Sequence, residues 1–159
     1  MAARPRRTLE KLSEFTLMRR VHFYETDAAG IVHFSCYFRY MEEAEHAFWR
    51  AAGLSIAPGQ GGGSACGWPR VAVSADYRRP LRFEDEFEIT IRIAAMTKKS
   101  IRYDCVLTHG GALVANMSMT IASVEKRPDG SHRAIPLPAV LRERFQVSPH
   151  AVARRAEVP

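Results

Sequence analysis

Tyr37-Phe38-Arg39-Tyr40-Met41-Glu42-Glu43-Ala44-Glu45-His46-Ala47-Phe48-Trp49-Arg50-Ala51-Ala52-Gly53 is the stretch that decides the fold. Tyr37, Met41, Ala44, Phe48, Ala51 and Ala52 recur at steps of three and four, while Glu42, Glu43, Glu45 and Arg50 take the other face. That period is the mark of an amphipathic helix. Gly53 stands where a left-handed cap would end it. The apolar stripe is broad and aromatic, so the helix must be buried against something large.

Its partner lies downstream. Val71, Val73, Ala75 and Tyr77 alternate with Ala72, Ser74 and Asp76 until Pro80 stops the pattern. Phe87, Ile89, Ile91 and Ile93 form a second alternating run, Ile101, Tyr103, Cys105 and Leu107 a third, and Leu113 through Ile121 a fourth. The connections are short, which predicts antiparallel neighbours with one face buried. Upstream, Phe15, Leu17, Val21 and Phe23 suggest a first strand interrupted by Arg19, followed by an acidic turn over 25–30. Residues 58–69 hold five glycines and two prolines and read as a loop. That glycine run lacks the Gly-Lys-Ser/Thr ending of a phosphate loop. Pro136 and Pro138 introduce a short helix near Ala139 to Phe145.

One sheet face and one helix are apolar, and each needs the other. A sheet curled around the helix is the simplest solution, an α+β fold in a single domain over 14–147, with flexible tails at 1–13 and 148–159. At 159 residues, 47% hydrophobic and 25% charged, the chain is long enough to bury one core without staples. Exposed sheet edges and aromatic surface predict a homo-oligomer, a dimer or tetramer.

Composition narrows the function. Cys36, Cys66 and Cys105 are an odd number with no close pairing, which argues against a disulfide framework or zinc cluster. The six histidines are scattered, so no metal and no bound cofactor are expected. No apolar run reaches the roughly 18 residues of a membrane span, and basic Met1–Arg7 has no apolar stretch behind it, so a cytoplasmic protein is expected. The net charge of +6 suggests an anionic partner, although much of the excess sits in arginines near the two ends. The arginines are not interleaved with aromatics as a base-stacking surface requires, which argues against nucleic acid.

The chemistry concentrates just before the long helix, in Tyr24-Glu25-Thr26-Asp27-Ala28-Ala29-Gly30-Ile31-Val32-His33-Phe34-Ser35-Cys36-Tyr37-Phe38-Arg39-Tyr40. A helix N-terminus presents unpaired N–H groups and positive partial charge, which stabilise an oxyanion. A carboxylate a few residues upstream can attack a carbonyl held there or activate a water. From the residues alone, Asp27 is equally well a turn cap.

This stretch resembles the active-site motif of the 4-hydroxybenzoyl-CoA thioesterase family of hot-dog proteins, of the form Asp-Thr-Asp-Ala-Ala-Gly-Val-Val-Tyr-His-Ala-Asn-Tyr-Leu-Arg-Tyr. Asp76-Tyr77-Arg78-Arg79-Pro80-Leu81 through Asp85, Lys99-Ser100 and Ile135-Pro136-Leu137-Pro138 are similar to later blocks of that family. The resemblance spans roughly residues 16 to 145. It implies a hot-dog fold and hydrolysis of an acyl-CoA thioester, with Asp27 as the catalytic carboxylate and the Phe34 N–H polarising the carbonyl. It also implies a substrate site including Gly30, His33 and Tyr37, with CoA phosphates on Lys98 and Lys99 and, as a weaker candidate, Arg127. As plain chemistry the lysine pair fits a solvated turn equally well. Glu25 replaces the motif's first Asp, His33-Phe34 stand where relatives carry Tyr-His, and Cys36 replaces Asn. These departures bear on the substrate more than on the reaction. A hot-dog hydratase needs an Asp-x-Asn-Pro-x-His-like block, which is absent. A non-catalytic acyl-CoA or nucleic-acid binding module is the remaining alternative.

Overall fold

The computed structural model describes residues 10–57 and 66–151. The first strand, β1, runs Glu14–Arg20, and the long helix α1 runs Cys36–Ala51. After a two-residue strand β2 (Cys66–Gly67) come β3 (Arg70–Tyr77), β4 (Glu86–Met96), β5 (Ser100–His109) and β6 (Ala112–Ala122). A short hairpin of β7 (Val124–Lys126) and β8 (His132–Ala134) follows, and α2 (Ala139–Arg144) closes the described chain. Five strands form one antiparallel sheet in the order β1-β4-β5-β6-β3, and β2-β7-β8 form a second, smaller one.

Register turns the alternation seen in the sequence into a core. Ile91 pairs with Cys105 and Cys105 with Met117; Ile93 pairs with Tyr103 and Tyr103 with Met119. Each is buried, and together they line one sheet face. Tyr37, Tyr40, Met41, Ala44 and Phe48 of α1 are buried in the same cluster. Trp49 pins the helix to the sheet, its Nε1–H donating to the Tyr103 hydroxyl at 3.0 Å. Extra residues in β3 (Val71), β4 (Ala94) and β6 (Val114) shift the register and bend those strands, which is how a sheet curls around a helix. No helix among the described residues is long and apolar enough to cross a membrane.

Several details depart from the sequence reading. The first strand stops at Arg20, and Phe23 lies in a short 3₁₀ turn (Phe23–Glu25) with 74% of its surface exposed. Arg19 does not interrupt the inward face but occupies it, lying over the Tyr40 ring of α1. On α1, Glu45 is fully buried rather than solvent-facing, because Arg70 reaches it at 2.6 Å and takes the place of water. Ala51, expected inside, is exposed. Cys66 and Gly67, at the end of the expected loop, pair with β7, while residues 58–65 lie outside the described residues. Leu12 and Ser148, expected in the tails, are tied down: the Leu12 N–H donates to Arg144 O, and that of Ser148 to Ile93 O, both at 2.8 Å.

Candidate active site

The acidic turn is built from Glu25 outward. The Glu25 carboxylate is buried and accepts from both terminal nitrogens of Arg19 (2.6 and 2.8 Å), from the His22 N–H (2.8 Å) and from the Tyr40 hydroxyl (2.9 Å). Burial works to raise this carboxyl's pKa, but the Arg19, His22 and Tyr40 bonds outweigh it and hold it below the ordinary value. Arg19 lies 4.4 Å over the Tyr40 ring and also reaches Glu43 at 2.6 Å. Strand β1 and helix α1 are thereby locked to the start of the turn.

From that anchor the chain makes a tight excursion. Thr26 bridges Val32, the Asp27 N–H donates to Ile31 O at 2.9 Å, and the Gly30 N–H donates back to Asp27 O at 2.9 Å. Gly30 sits at φ +72°, a left-handed conformation that disfavours any side chain. Asp27 is left exposed at the tip. Its Oδ1 accepts from the Ala29 N–H at 2.8 Å, so the side chain does cap the turn. Its other oxygen carries no bond among the described residues, so capping does not use up the group.

Where the chain enters α1, most N–H groups are taken. Val32 donates to Leu81 O, His33 to Glu25 O and Cys36 to His33 O, while Ser35 meets His33 Nδ1 at 3.4 Å. The Phe34 N–H is left without a partner among the described residues. Its carbonyl is fixed by the Tyr77 hydroxyl, which donates at 3.0 Å. Asp27, Phe34, Tyr37 and Tyr77 line one open cavity of about 400 Å³, which Arg78 and Arg79 complete from the end of β3. Asp27, with one free carboxylate oxygen, and Phe34, whose unpaired N–H lies two residues before the sixteen-residue helix and ahead of its N-cap Ser35, thus line one space. Such a pair can receive a carbonyl and attack it or direct water at it.

The remaining sequence candidates are placed as follows. Tyr37 is buried at the cavity wall, its ring 5.0 Å from that of Tyr77. His33 is exposed, bonds Ser35 Oγ at 2.8 Å, and is not among the cavity-lining residues. Burial first, then the Glu25 charge, raises the Cys36 thiol pKa, which suits a packing group and not a nucleophile. Lys98 and Lys99 sit in the β4–β5 turn, where Lys99 O accepts from the Ser123 N–H and Lys98 O from that of Leu137. Arg127 opens the β7–β8 turn beyond the same end. Arg78 and Arg79, by contrast, bond Val114 O. Val114 and Ser123 are nine residues apart along β6 and its extension, so the lysines lie roughly 30 Å from the cavity within one chain. The structure does not bring them together with Asp27. Sequence reasoning left Tyr77, Arg78 and Arg79 without a role, although they stand in the quoted block ending at Pro80.

Residues 21–145 match a family model described as the thioesterase-like superfamily. A protein of Aquifex aeolicus that carries an esterase name is 36% identical over 95 residues, 58% of this chain and 71% of its own length. A 1,4-dihydroxy-2-naphthoyl-CoA hydrolase of Synechococcus elongatus is 26% identical over 137 residues, 86% of this chain and 98% of that protein. Among solved structures, a 4-hydroxybenzoyl-CoA thioesterase variant complexed with 4-hydroxybenzoyl-CoA superposes with a TM-score of 0.70. It covers 83% of this chain and 98% of that one at 24% identity. The last is a likeness of fold: the sheet wrapped around α1 is the hot-dog arrangement expected from the sequence.

Proposed function

The chain belongs to the thioesterase-like superfamily, and on that premise we propose that it hydrolyses an acyl-CoA thioester with Asp27 as the reacting carboxylate. One observation carries this reading. Asp27, with an unbonded carboxylate oxygen, and Phe34, with an unpaired N–H, line the same cavity just ahead of α1. The Phe34 N–H and the helix dipole stabilise negative charge on the thioester oxygen as the carbonyl carbon becomes tetrahedral.

Two routes are open to Asp27. As a nucleophile, its oxygen bonds to the carbonyl carbon and the CoA thiolate leaves; water then splits the resulting anhydride and regenerates the carboxylate. As a general base, it takes a proton from water while the water oxygen attacks the same carbon, and the thiolate leaves with that proton. Neither route needs a metal or a bound cofactor, because a thioester is already activated toward attack. Ala29 holds one oxygen of Asp27, which fixes the carboxylate's orientation in either case. The aromatic walls formed by Phe34, Tyr37 and Tyr77 suit a flat acyl group, and aromatic acyl-CoAs are named for both the Synechococcus relative and the solved thioesterase.

The reading includes a homo-oligomer. Among the described residues the β3 edge has no strand beside it, and Val71, Val73 and Tyr77 there are 60%, 51% and 43% exposed. Antiparallel pairing of two such edges would set the Arg70 end of one β3 against the Tyr77 end of the other. Lys98 and Lys99 of a second copy would then approach the cavity, which is the arrangement their assignment to CoA phosphates requires.

The direct test is thiol release from short-chain, long-chain and aromatic acyl-CoAs, read with a thiol dye. Hydrolysis of at least one, with an aromatic member turned over fastest, is expected. Tight binding with no release from any member would make the protein a non-catalytic acyl-CoA module instead.

A further inference from the structure

Hydrolysis as described leaves two cations in the cavity without a task. Arg78 and Arg79 line it together with Asp27 and Phe34. Both are exposed, and no ion pair engages either guanidinium among the described residues. Their backbone is nonetheless firmly placed. The N–H groups of Arg78 and Arg79 both donate to Val114 O, at 2.7 and 3.1 Å, and Pro80 restricts Arg79 to extended conformations. The chain therefore fixes where the two side chains start and leaves their heads open to a ligand.

Charge gives that placement a consequence. An acyl-CoA is a polyanion, and Asp27 sets a further negative charge in the cavity it must enter, so approach is opposed unless cations stand nearby. Lys98 and Lys99 lie too far away in the same chain to offset this. Arg78 and Arg79 stand where the offset is needed, and their planar forks suit oxyanions held by two parallel hydrogen bonds.

We propose that Arg78 and Arg79 form the anion-recognition element of this site, gripping a phosphate of the carrier or a carboxylate on the acyl group beside Asp27. This rests on the hydrolytic reading and names the class of substrate group that the cavity selects.

The test compares the unaltered protein with the double variants Arg78→Ala/Arg79→Ala and Arg78→Lys/Arg79→Lys. Four substrates are used: benzoyl-CoA, benzoyl-N-acetylcysteamine, succinyl-CoA and succinyl-N-acetylcysteamine. For the alanine pair, the kcat/KM preference for benzoyl-CoA over its phosphate-free counterpart should fall by roughly tenfold or more, mainly through KM, with partial recovery in the lysine pair. If the loss instead follows the succinyl group on both carriers, the gripped anion is the acyl carboxylate. An equal loss on all four substrates, or no loss on any of them, overturns the assignment. Should the unaltered protein release thiol from none of them, calorimetric titration with CoA and with succinyl-CoA decides separately. The hydrolytic reading then fails, and equal affinities for the unaltered protein and the alanine pair would remove the arginine proposal as well.

Discussion

Three carboxylates lie within twenty residues of one another and behave as three different groups. Glu25 is buried beneath four hydrogen bonds, two of them from Arg19, so it is a structural anchor with no oxygen to spare. Asp27 is exposed, held at one oxygen only, and lines the cavity. Glu45 is buried on α1 against Arg70, with its Oε1 lacking a hydrogen-bond partner. Burial pushes its pKa up to about 7, against the pull of Arg70. A carboxyl raised in the folded state binds its proton more tightly there than in the unfolded chain. It therefore stabilises the protein most below its ordinary value of 4.5, and that contribution is lost as pH rises to about 7. Glu45→Gln removes the titration. Thermal melts of the variant and parent should diverge in the variant's favour between pH 5 and 8, by on the order of 2 kcal/mol. A pH-independent difference would mean that Glu45 stays charged throughout, matched by Arg70.

At the scale of elements, what was legible followed from period. The helix (Cys36–Ala51) and the four long strands stand where three-and-four spacing and alternation put them. Strands β4, β5 and β6 each bury one face, whereas β3, at the sheet edge, leaves Val71, Val73 and Tyr77 exposed where alternation predicted a buried face. The β7–β8 hairpin was not legible: three-residue strands are too short to show alternation. Arg19 reads as a break in the apolar pattern and Glu45 as part of the polar helix face, because sequence alone does not show that Glu25 and Arg70 wait to pair with them. The candidate site divides in the same way. Asp27 and Phe34 are seven residues apart, so one motif contains both. Tyr77, Arg78 and Arg79 reach them only because β3 pairs with β6 and ends at that side of the sheet. That proximity is made by strand register, fifty residues downstream of Asp27. Lys98 and Lys99 show the converse: similarity of position in a motif said nothing of the roughly 30 Å of strand between them and the cavity.

For the whole molecule, the exposed β3 edge and the proposed CoA-phosphate role of the distant lysines both call for a second copy. Light scattering at micromolar concentration should give at least a dimer; a monomer at that concentration, still fully active, would remove both the edge pairing and the lysine assignment. Introducing like charges at Val71 and Val73 (Val71→Glu/Val73→Glu) should shift the equilibrium toward monomer and reduce turnover with it. Whatever the assembly, the proposed activity rests on Asp27 reacting and not merely shaping the turn, and the measurement that tests this most directly is kcat set beside melting temperature in Asp27→Asn. Asparagine keeps the oxygen that accepts from the Ala29 N–H while removing the charge and the proton acceptor. Stability should change by about 1 kcal/mol or less, and kcat on the best acyl-CoA should fall by roughly 10²–10⁴-fold, or ~3–5 kcal/mol of barrier. A stable Asp27→Asn protein turning over that substrate within a few-fold of the parent would contradict the account.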